Sequence, residues 1–154
     1  MRVFLDTNVL FDYISRRLPY HVDAQTLVVM KAFGDIELVV SGKSYTDVFY
    51  ILKRQMDAYE VQASIKDSLD IFEICSLEAD DIKAACELGW SDFEDALIEI
   101  SARKVGVDYL VTRDGRFAQS HVDIKTPRQI IEMFEQRGLS YAEAGLDSDD
   151  FEVK

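Results

Sequence analysis

Four short apolar runs, at residues 3 to 5, 36 to 40, 71 to 75 and 107 to 111, alternate with segments of helical periodicity. This alternation restricts the fold more than any other feature. Strands buried on both faces read as continuous apolar runs, and repeated strand-helix-strand units build a largely parallel sheet with helices on its faces. The first run stops at Asp6-Thr7-Asn8 and the last at Thr112-Arg113-Asp114-Gly115, while Ser91-Asp92-Phe93-Glu94-Asp95 opens a helical segment. Open sheets of this class gather such positions along one edge.

Helices are expected over residues 7 to 16, 22 to 33, 44 to 55, 59 to 70, 79 to 88, 91 to 104 and 127 to 137. Ser44 with Asp47, Ser91 with Glu94, and Thr126 with Pro127 and Gln129 resemble capping boxes that start three of them. The 154 residues, 48% of them hydrophobic, suffice for one domain with a sizeable core. We expect one domain from 1 to 137. After Gly138 periodicity fades, and residues 141 to 154 carry Glu143, Asp147, Asp149, Asp150 and Glu152 against Lys154. Residues 138 to 154 therefore read as an acidic C-terminal tail, mobile or loosely docked.

Apolar runs are too short to span a membrane, and Met1-Arg2-Val3-Phe4-Leu5 shows no charged leader before a hydrophobic segment. The expectation is a cytoplasmic protein. Cys75 and Cys86 lack CxxC spacing and lie among apolar neighbours, so two buried thiols are expected. A net charge of −12 argues against nonspecific duplex binding through a broad basic surface, though not against an enzyme acting on nucleic acid. Neither a phosphate-binding P-loop nor a GxGxxG turn is present, and His21 and His121 lack a partner motif.

Asp6, Asp47, Asp92, Asp95 and Asp114 all fall at strand ends or helix starts. Singly, each has an ordinary structural reading: Asp6 as a helix cap, Asp47 in a capping box, Asp92 at a helix dipole, Asp114 in a turn. Jointly, carboxylates meeting at one edge repel unless a cation sits among them, and hard oxygen donors favour Mg2+ or Mn2+, one or two ions. Asp92, Asp95 and Glu99 form a stripe along one helix side, where Arg103 makes Glu99 a surface ion-pair partner. Thr7, Asn8 and Thr112 are candidates to orient a carboxylate or a bound water. Arg113 and Arg116 are the cations best placed to meet phosphates, with Lys43, Lys53 and Arg54 as lesser candidates. Tyr13, Tyr45, Phe49 and Tyr50 fit helix cores better than base stacking.

These residues resemble a family. Val3-Phe-Leu-Asp6-Thr-Asn-Val-Leu, Asp92-Phe-Glu-Asp95-Ala-Leu-Ile and Tyr109-Leu-Val-Thr112-Arg-Asp114 are similar, in that order, to the motifs of PIN-domain nucleases, many of them VapC-like toxins. The resemblance extends from Met1 to about Arg137. It implies an α/β fold, PIN-like, with a central mostly parallel sheet flanked by helices on both sides, and a metal-dependent endoribonuclease acting on single-stranded RNA with 5′-phosphate products. Asp6, Asp95 and Asp114 match the family's metal-binding acids, Asp92 adds one a helical turn earlier, and Asp47 stands where VapC-like toxins usually carry Glu. Arg116 replaces an acid that often precedes the phenylalanine here numbered Phe117. An antitoxin protein and a homodimer are the partners the resemblance implies. The alternative is a catalytically weak PIN-like module whose acidic edge docks a basic antitoxin tail or RNA. Haloacid dehalogenase phosphatases also begin with Asp after a strand but want Asp at the position of Asn8.

Overall fold

A computed structural model describes residues 1–115, 117 and 119–142. Its elements run β1 (Arg2–Leu5), α1 (Thr7–Ser15), α2 (Tyr20–Ala32), β2 (Glu37–Ser41), α3 (Gly42–Leu52), α4 (Ala58–Ser68), β3 (Glu73–Cys75), α5 (Ala79–Leu88), α6 (Phe93–Val105), β4 (Tyr109–Val111), β5 (Ile124–Lys125) and α7 (Pro127–Glu135). The sheet order is β3-β2-β1-β4-β5, with every pairing parallel. The expected helices and four of the strands form. β5 was not legible, because two residues after a polar loop carry no alternation.

Alternate residues of the central strands serve opposite layers. Val3, Leu5, Leu38, Val40 and Val111 pack with α1, α2, α3, α4 and α7. Phe4, Val39, Cys75 and Leu110 pack with α6 and Phe117 on the other face, and α5 closes on α6 through Ala85, Ala96 and Leu97. Burial of each large apolar side chain contributes about 1.5–3 kcal/mol, and Val3, Phe4, Val39, Val40, Leu110 and Val111 of the three central strands are all fully enclosed. The helices thus flank the sheet on both sides, as expected.

The chain builds β1, β2 and β3 in one direction and then crosses back to place β4 on the other side of β1. That reversal opens a crevice beyond the carboxyl ends of β1 and β4, the place where open α/β sheets bind ligands. Asp6 follows β1 and Thr112 follows β4, and the Asp6 amide donates to the Val111 carbonyl at 2.9 Å.

Helix starts differ locally from the capping expectations. Thr126 and Gln129 do form the reciprocal box. Ser44, however, lies inside α3, whose cap is Ser41 accepting from the Lys43 amide at 3.2 Å. Ser44 instead is buried and shares a 2.8 Å hydrogen bond with the Thr7 hydroxyl. For α6 the cap is Asp92 rather than Ser91, accepting from the Asp95 amide at 3.1 Å. Cys75 is buried but Cys86 is exposed, against the expectation of two buried thiols, because Cys86 falls on the outer side of α5. Tyr45 is buried, whereas Tyr50 is exposed and lies under the Lys53 ammonium at 4.3 Å.

Candidate active site

Asp6 is almost fully buried at the crevice floor, where its carboxylate caps α1 by accepting from the Thr7 amide at 2.7 Å. Its other oxygen accepts from Asn8 Nδ2 and from the Thr112 hydroxyl, both at 2.8 Å. Thr112 Oγ1 also accepts from Asn8 at 3.1 Å and from the Asp114 amide at 2.9 Å, and Asn8 Oδ1 accepts from the Arg113 amide at 3.2 Å. Asn8 and Thr112 therefore lock the end of β1 to the loop after β4. Burial raises the Asp6 carboxyl above its ordinary value, the hydrogen bonds from Thr112 and Thr7 oppose this, and the charge of Asp114 adds to it.

The amino end of α6 brings the central acids to the same crevice. Asp95 is pushed up to about 6, first by burial and then by the charges of Asp92, Asp6, Asp114 and Glu94. Four acids from the ends of β1, β4 and α6 thus act on one carboxyl. α3 adds Asp47, which pairs with Lys43 at 2.5 Å, and Lys43 also reaches Glu94 at 3.7 Å. Glu94 is raised by burial, lowered by Lys43, and raised by Asp47, Asp6 and Asp92. Sequence reasoning missed Glu94 as a member of this group. An acid in a first helical turn has a sufficient local explanation, and its partner Lys43 belongs to another helix.

Arg113 is largely engaged elsewhere. Its guanidinium forks onto the buried Asp12 of α1, with Nε to Oδ2 at 2.5 Å and Nη2 to Oδ1 at 3.2 Å, and stacks over Tyr20 at 4.1 Å. Burial raises the Asp12 carboxyl and its bond to Arg113 opposes that rise. A quarter of the Arg113 side chain remains exposed. Arg116 lies outside the described residues.

Glu99 is not the surface ion-pair partner expected from Arg103. It is completely buried, accepting from the Ser120 hydroxyl at 2.5 Å and from the His121 amide at 2.9 Å. The helix face that carries Asp95 is thereby tied to the segment that follows Asp114. The local i,i+4 rule lost to a tertiary contact, which has no signal in the helix itself.

Among the described residues no three acid, histidine or cysteine side chains already converge on a point that would hold a metal ion. The donor set nevertheless fits a hard divalent cation. All its members are carboxylate or hydroxyl oxygens, and burial together with the like charges around them raises the Asp6, Glu94 and Asp95 carboxyls.

A family model for the PIN domain matches residues 2–116, which span β1 through β4 and every acid of the crevice. The chain belongs to the PIN domain family. This PIN domain is 26% identical over 137 residues to Ribonuclease VapC1 of Aquifex aeolicus (strain VF5), covering 85% of the chain and 94% of that protein. Its fold matches VapBC2 from Rickettsia felis, solved bound to a DNA fragment from its promoter, with a TM-score of 0.63 at 18% identity over 82% of this chain and 98% of that one. It equally matches Mycobacterium tuberculosis VapC20, described as a Sarcin-Ricin loop cleaving toxin, with a TM-score of 0.63 at 19% identity over 78% of this chain and 95% of that one. Among the described residues no helix is long and apolar enough to cross a membrane.

Proposed function

We propose that this PIN domain is a divalent-metal-dependent endoribonuclease that hydrolyses phosphodiester bonds of single-stranded RNA, as the toxin of a toxin-antitoxin pair. The observation that carries the reading is Asp95 at the amino end of α6, whose carboxyl is pushed up to about 6 by burial and by the charges of Asp92, Asp6, Asp114 and Glu94. A protein tolerates such crowding where function requires it. The relative named Ribonuclease VapC1 supports the ribonuclease assignment.

Asp6, Asp95 and Asp114, with Asp92 or Asp47, would hold Mg2+ or Mn2+. The bound cation supplies an activated water and charge stabilisation for in-line displacement at phosphorus. The chain's own residues prepare that chemistry. Thr7, Asn8 and Thr112 fix the plane of the Asp6 carboxylate, so it need not reorganise when charge develops. The Asp92 side chain, held to the Asp95 amide, sets the first turn of α6 and thus the direction of Asp95. Arg113 would meet the RNA backbone through its exposed part, and Arg116 is the second cation assigned to that contact from the sequence. A protein antitoxin and self-assembly into a homodimer belong to the same reading, carried over from the family resemblance and, for the antitoxin, from the VapBC2 neighbour.

The test is cleavage of labelled single-stranded RNA by partner-free protein with Mn2+, Mg2+ or EDTA, beside Asp6→Asn and Asp95→Asn. Metal-dependent cleavage lost in both variants is the expected result. A folded wild type that cuts under no metal would overturn the reading in favour of a docking module.

A further inference from the structure

We propose that Lys43 is the resident cation of this acidic edge, its ammonium occupying the place between Asp47 and Glu94 where a second divalent ion would otherwise bind, so that the chain takes up one such ion rather than two. The inference rests on the metal-dependent reading above.

The geometry is specific to three side chains on two elements. Lys43 Nζ stands 2.5 Å from Asp47 Oδ2 on its own helix and 3.7 Å from Glu94 Oε1 on α6. An ammonium is a compact point charge with three donors, so one can serve two carboxylates from different directions. Lys43 is also firmly placed. Its amide is held by the Ser41 cap, and the next residue, Ser44, is buried and bonded to Thr7 beside Asp6. The first turn of α3, which carries Lys43, is thereby pinned beside Asp6.

The length of the residue at 47 completes the argument. Aspartate keeps its carboxylate close to its own helix, within reach of a lysine one turn earlier, where a glutamate would extend further towards the crevice. Lys43 is the cation that stands between the Asp47 and Glu94 carboxylates. A divalent ion demands oxygen ligands at about 2.0–2.1 Å in near-octahedral array for Mg2+. It cannot share the inner oxygens of Asp47 and Glu94 with an ammonium already seated there. Asp6, Asp95 and Asp114 remain for the one ion.

The experiment is calorimetric titration of the intact, partner-free protein with Mn2+ at physiological ionic strength, which screens weak binding to scattered acids. Wild type and Lys43→Arg are expected to bind one Mn2+ per chain. Lys43→Met, which keeps the apolar stem and removes the charge, is expected to bind two, and adding Glu94→Gln to it should restore one. Lys43→Gln replaces the Met variant if circular dichroism shows that variant unfolded. Two ions in the wild type, or one ion still in the charge-removed variants, would overturn the inference while leaving the nuclease reading intact. No Mn2+ bound by any of them would overturn both.

Discussion

The two edges of the same sheet treat acids in opposite ways. At the amino edge Arg2 opens β1 and gathers the acids around it. Its guanidinium meets Glu73 at 2.5 Å and Glu37 at 3.4 Å, and donates to the Val105 carbonyl at 2.9 Å, while its amide donates to Asp108 at 2.7 Å. At the carboxyl edge burial, and after it the like charges of their neighbours, raises the carboxyls of Asp6, Glu94 and Asp95. The amino edge is organised for folding. The carboxyl edge stores electrostatic strain that a bound cation would release, which is the usual signature of a working site rather than of a framework.

The sharpest way to break this contrast is to remove a charge from the carboxyl edge. Asp6→Asn should lower RNA cleavage by about 10²–10³-fold or more, the scale seen when one preorganised electrostatic contact is lost. Its thermal midpoint in metal-free buffer should move little, because the single amide oxygen keeps either the bond from the Thr7 amide or those from Asn8 and Thr112, and the loss of the others is set against the removal of a buried charge among like charges. A large drop in the midpoint would mean that Asp6 is chiefly a helix cap, and that both edges are structural.

Glu99 tests the other half of the contrast, a buried acid that is fully satisfied. Glu99→Ala should destabilise the fold by about 3 kcal/mol in urea denaturation, since it leaves the Ser120 hydroxyl and His121 amide without their partner and opens a cavity. Glu99→Gln should be far milder. Ser120 has one hydroxyl proton and two acceptors within reach, Glu99 and the Val122 carbonyl. A glutamine amide could donate to Ser120 and free that proton for Val122.

How much of this was legible in sequence follows from the range of each interaction. Asp6 and Asp114 were visible because an apolar run ends just before each, and the Asp92-to-Asp95 spacing marks a helix start. Parallel order was implied by the alternation of elements. Glu99, Asp12 and Glu94 were not legible, because their partners Ser120 with His121, Arg113 and Lys43 come from distant elements, and local rules supplied plausible substitutes. Ser44 failed as a cap for the same reason. Ser41 stands three residues earlier at the actual strand end, and nothing in the local pattern ranks one serine above the other.

A smaller effect reads the strain directly through pH. The folded-state carboxyl of Asp95 lies at about 6 against an ordinary 3.8. Between those values the folded protein holds a proton that the unfolded chain has lost, so stability falls as pH rises from about 4 to about 6. Two units would be worth about 3 kcal/mol if fully expressed, and partial exposure screens this to roughly 1 kcal/mol. Asp95→Asn should remove that part of the slope in metal-free thermal scans. Adding Mn2+ should stabilise wild type more at pH 7 than at pH 5, because the acids must ionise to bind it. An identical slope in wild type and variant would show that the crowding at α6 is relieved in solution.

The smallest effect belongs to the amino edge, and it decides whether the contrast is one of function or only of charge pairing. Arg2→Gln removes the cation shared by Glu37 and Glu73, both of which are more than half exposed. Exposed pairs contribute little, so the loss should stay below about 1 kcal/mol and shrink further in high salt. Cleavage of RNA should be unchanged, since β1 keeps its pairing to β2 and β4 through backbone bonds alone and Asp6 lies at the far end of the strand. If Arg2→Gln instead lowered cleavage at constant stability, the two edges would be coupled through β1. The amino-edge acids would then belong to the electrostatics of the site, and the division between a framework edge and a working edge would fail.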